Sequence, residues 1–135
     1  MKRITELDIT KLLDEAIAES DRLGIRISVA TVDEAGYLSG FKRHGDAEIV
    51  SITLAQDKAY SALFNRVGTD ELGKLCAPGA ELYGLQYNLG GRMVIFGGGV
   101  PIRNSEGRLI GAIGVSGGTV EQDIRCAMAA IEILK

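Results

Sequence analysis

Apolar residues recur every three or four positions in some stretches of the chain and alternate or run together in others, and these two periods divide it into helices and strands. After Asp8, a residue suited to an N-cap, the set Ile9, Leu12, Leu13, Ala16, Ile17 and Leu23 keeps helical spacing up to Gly24, which predicts a helix over 9–23. Residues 26–33 alternate and are rich in β-branched side chains, 34–36 turn, and 37–43 return as the hairpin partner. Ile49, Ile52, Ala55, Ala59, Ala62 and Leu63 predict a second helix over 48–65. A short helix starts at Gly68-Thr69-Asp70-Glu71, the break Ala77-Pro78-Gly79-Ala80 ends it, and 82–89 reads as a loop or short helix.

The rest of the chain is organised around a glycine-rich run. The compact apolar stretch 92–96 predicts a strand, 100–102 is a short extended piece around Pro101, and 108–115 is a strand interrupted by glycines. Between the last two, Asn104-Ser105-Glu106-Gly107 is a hairpin turn with Gly107 where a positive φ is tolerated. Ser116-Gly117-Gly118-Thr119 then turns into a closing helix over 123–134, and Thr119 to Gln122 has the spacing of a capping box. The order α-β-β-α-α-β-β-β-α, with tight turns between successive strands on each side of the helical middle, predicts a five-stranded antiparallel sheet with helices packed on it, an α+β domain.

Composition sharpens this in a few respects. At 135 residues, 46% hydrophobic and 24% charged, the chain suits one globular domain spanning 1–135. Its net charge of −3 with interspersed signs argues against a nucleic-acid or membrane-surface binder. The charged N-terminus carries no apolar signal core, so the expected compartment is the cytoplasm. Cys76 and Cys126 lack metal-ligand spacing and read as reduced thiols, Cys126 as a buried one. There is no P-loop, GxGxxG or HExxH, and no catalytic constellation stands out.

Several residues could nevertheless hold a ligand. The amides of Gly117, Gly118 and Thr119, at a helix start, suit a small anion such as a carboxylate or phosphate; equally, the glycines could simply make a tight corner. Lys58, on a helix of small apolar residues, could donate to an anionic ligand, pair with Asp123, or serve with Asp123 as an acid/base pair; an ordinary surface lysine is the plain alternative. His44 is the chain's single histidine. Beside Arg43 and Asp46, it could be an iron ligand, a general base or a solvated loop residue. Tyr83 and Tyr87 could line a pocket or simply pack.

Three segments, Ser28 to Gly36 (SVATVDEAG), Ser51 to Ala62 (SITLAQDKAYSA) and Gly98 to Asp123 (GGVPIRNSEGRLIGAIGVSGGTVEQD), resemble the GlcG/HbpS-like family, which includes the C-terminal domain of PduO-type proteins. The resemblance implies a profilin-like fold, a homo-oligomer, and a small-ligand-binding or accessory role in bacterial metabolism, beside diol or glycerol dehydratase or glycolate systems. Some members resemble haem-binding or haem-degrading proteins. In those similar to the PduO C-terminal domain a first-helix histidine holds the iron, but residues 10–23 contain none. Were haem bound, His44 would be the proposed ligand, with Tyr, Met or Cys as other donors, and Arg43 or the Gly117/Gly118 corner would receive a propionate.

Overall fold

The structure, a computed structural model, describes residues 3–135. Helix α1 (Glu6–Leu23) is capped three residues earlier than expected: Thr5 is the N-cap, and Asp8 closes a capping box by accepting from the Thr5 amide. Gly24, left-handed at φ 72°, ends the helix. The hairpin β1 (Ser28–Asp33) and β2 (Leu38–Arg43) leads to α2 (Val50–Asn65) and α3 (Thr69–Leu75). Two 3-10 turns at Leu85–Tyr87 and Leu89–Gly91 precede β3 (Gly99–Arg103), β4 (Leu109–Ser116) and α4 (Val120–Glu132). The turn between β3 and β4 has Gly107 at φ 82° and both the Glu106 and Arg108 amides bound to the Asn104 side chain. α4 carries the expected Thr119–Gln122 capping box.

The sheet has four strands in the order β2-β1-β4-β3, all antiparallel, not five. The expected strand over 92–96 forms no ladder. Instead the Ser61 hydroxyl on α2 donates to the Arg92 carbonyl and accepts from the Val94 amide, while Met93 packs with Leu72 and Cys76. An apolar run can therefore be buried with its backbone satisfied by a side chain, and run composition does not distinguish that from a strand.

α1 and α4 pack together on one face of the sheet, around Leu12, Ile27, Val29, Ile113 and Val115, and α2 covers the other. α2 approaches closely because its inward positions are small, Ala55, Ala59 and Ala62, and because β4 offers Gly114 beneath them. A Cβ on Gly114 would collide with the Ala55 carbonyl oxygen. Close approach of α2 is what brings Lys58 to the end of β4.

Candidate functional site

The register gathers most of the candidate residues at one end of the sheet. Ser28 pairs with Arg43 on one side and with Ser116 on the other, so the β2 exit (Arg43, His44) and the β4 exit (Ser116, Gly117, Gly118) flank the start of β1. The two exits carry different chemistry.

At the β4 exit the Lys58 ammonium donates to the Val115 carbonyl and to Asp123 Oδ2, both at 3.0 Å, and lies 5.1 Å from the Phe96 ring centroid, within cation–π reach. Asp123, in the first turn of α4, accepts the Gly118 amide on its other oxygen at 2.9 Å. Gly98 at φ 131° passes so near that a Cβ there would meet Lys58 Nζ at 2.8 Å. The side chains of the pair are 1% and 4% exposed, so it is sealed from solvent. Burial pushes the Lys58 ammonium below and the Asp123 carboxyl above their ordinary values, and each partner's charge pulls the other back.

This geometry revises the expected anion site at Gly117, Gly118 and Thr119. The corner's amides do meet an anion, but it is the chain's own: Gly118 donates to Asp123, and Thr119 to the Gln122 side chain. The helix start is satisfied internally and Lys58 is not free for a ligand. The same closure leaves the Lys58–Asp123 pair out of contact with solvent.

The β2 exit is open. The His44 amide extends the ladder to the Ile27 carbonyl, and ring nitrogen Nε2 lies 2.8 Å from Asp21 Oδ1 at the end of α1. That carboxylate also faces Arg26 at 3.5 Å. Arg43 does not point its fork at a ligand: its Nε and Nη2 both donate to the Ala47 carbonyl and close the loop. Next on the chain come Ile49 and Val50, 77% and 54% exposed. Asp21, which orients the imidazole, was not singled out from the sequence; it lies 23 residues from His44 and only the packing of α1 across β2 brings them together. Such a carboxylate selects the imidazole tautomer and leaves the other nitrogen available as a ligand.

The remaining candidates separate cleanly. Tyr83 and Tyr87 are exposed and sit across the left-handed Gly84, so they form no pocket wall. Cys76 and Cys126 are buried free thiols, and burial pushes Cys126 up to about 12, which leaves it inert. Among the described residues no cluster of His, Cys, Asp and Glu could hold a metal ion, and no helix is long and apolar enough to cross a membrane.

Comparison with known proteins agrees with this architecture. The chain is 40% identical over 129 residues to a 15.0 kDa protein of the dhaT-dhaS intergenic region of Citrobacter freundii, covering 96% of this chain and 90% of that one. It is also 40% identical over 124 residues to the corrinoid adenosyltransferase PduO of Salmonella typhimurium, covering 92% of this chain but only 37% of PduO. A solved structure described as a PduOC:heme complex superposes with a TM-score of 0.93 at 38% identity, covering 96% of this chain and 94% of that one. Residues 4–132 match the family described as haem-degrading protein, HbpS-like, and the chain therefore belongs to the HbpS-like family.

Proposed function

We propose that the protein is a non-catalytic, haem-binding accessory protein that works as a homo-oligomer, with His44 supplying the iron ligand. The observation that carries this reading is the imidazole at the β2 exit, half-buried and backed by Asp21, while the Lys58–Asp123 pair at the β4 exit is closed on itself. His44 would hold the iron: one ring nitrogen is engaged by the carboxylate, and exposed Ile49 and Val50 give an apolar flank within the same segment. Bound haem supplies a redox-active iron. The chain's own part is to hold that group, with Asp21 fixing the imidazole and Arg26 and Arg43 keeping positive charge nearby. The similarity to a haem complex at 38% identity supports the ligand class, and the similarity to PduO supports a role beside corrinoid enzymes.

A haemin titration followed at the Soret band tests this. A saturable shift in the wild type that is lost in His44→Ala is the expected result. No shift, or one unchanged in His44→Ala, overturns the assignment of His44. Analytical ultracentrifugation with and without haemin tests the assembly, and a monomer under both conditions would remove that part of the proposal. The family description favours haem degradation as a second reading. Decay of the bound Soret band under ascorbate would favour it, and a stable band would retain the non-catalytic one.

A further inference from the structure

The far end of the molecule carries a charge pattern that the haem reading does not use. A cleft of about 550 Å³ beside the β3–β4 turn is lined by Arg66, Arg103, Arg108, Glu34, Gly107 and Leu109, three guanidiniums against one carboxylate. The whole chain bears a net charge of −3, so this is a local reversal of sign. Arg103 is locked in place: Nη1 donates to the Gly107 carbonyl and Nη2 to the Arg66 carbonyl, which neutralises the negative end of α2 and leaves its other N–H groups for a ligand. Arg66 holds φ 60° and ψ 25° at the C-cap of α2, a conformation that favours glycine or asparagine, and its guanidinium makes no ion pair among the described residues. Arg108 reaches Glu34 only at 3.9 Å.

From this juxtaposition we infer that the cleft binds a phosphate group, as the free ion or as the head of a phosphomonoester. Planar forks match phosphate oxygens in pairs, and a dianion with several acceptors suits three guanidiniums better than a single carboxylate does. Pre-ordering of Arg103 by two backbone carbonyls lowers the cost of assembling the site.

The test follows the arginine side-chain Nε–H signals by NMR while inorganic phosphate, phenyl phosphate, acetate or chloride is added at matched ionic strength. Saturable shifts of the Arg66, Arg103 and Arg108 signals with phosphate or phenyl phosphate, absent with acetate and chloride, are expected. Phenyl phosphate binding more tightly than phosphate marks a phosphomonoester; the reverse marks the free ion. Arg66→Asn, which suits the left-handed cap, should melt no lower than the wild type yet lose affinity about tenfold, and Arg108→Gln should weaken binding similarly. Equal shifts with acetate or chloride, no saturation, or unchanged affinity in both variants would overturn the inference, and none of these outcomes bears on haem binding at His44.

Discussion

The two exits at one end of the sheet each hold a basic side chain against an aspartate, and they behave oppositely. Lys58 and Asp123 are sealed between α2, β4 and α4, with side chains 1% and 4% exposed and every polar side-chain atom partnered. His44 and Asp21 sit at 27% and 54% exposure between the end of β2 and the end of α1. In the interior the pair joins three elements and excludes any visitor. At the surface the carboxylate takes one ring nitrogen and leaves the imidazole partly exposed. A charged pair is thus a fastener or a binding group according to what covers it, and here the close approach of α2 to β4 decides the first case.

The sharpest way to break this contrast is Lys58→Met, which strands a buried carboxylate. A loss of roughly 3–5 kcal/mol is expected by thermal or denaturant unfolding, with much of it recovered in Lys58→Met/Asp123→Leu. The deficit should also depend on pH. Without the ammonium that pulls it back, the folded Asp123 value rises further above its ordinary 3.8. A raised folded value stabilises at pH below the unfolded value and loses that contribution as the pH climbs through the folded one. The deficit of Lys58→Met is therefore smallest near about pH 4 and grows towards neutrality. A deficit that stayed flat over that range would mean that Asp123 reaches water.

Gly114→Ala probes the same closure from below. Its Cβ would press on the backbone of α2, and a cost of about 1–3 kcal/mol by chemical denaturation is expected; no cost would show that α2 floats above the sheet. Thr119→Ala removes one cap of α4 but leaves the ion pair, so it should cost about 1 kcal/mol. Asp21→Asn and His44→Ala should change the melting free energy by less than about 0.5 kcal/mol while altering the haemin titration. A stability loss as large as that of Lys58→Met would erase the distinction between the two exits.

Local patterns carried much of the fold. The periodicity of 9–23 and 48–65, the Asn104–Gly107 turn and the Thr119–Gln122 box are interactions within a few residues, and each appears where its spacing places it, the cap of α1 shifting only from Asp8 to Thr5. The family resemblance was legible on residues that later prove structural, such as Gly98, Gly114 and Lys58.

What local spacing could not decide was destination. Residues 92–96 have strand composition but are claimed by the Ser61 hydroxyl, a partner more than 30 positions away. The Gly117–Gly118 corner offers amides of the right kind, but whether they await a ligand depended on where Asp123 turned and on its partner Lys58, 65 residues from Asp123. Open amides and filled ones have the same sequence. Which of the two a chain makes is set by close packing between elements, because only packing removes water from one charged pair and leaves it on the other.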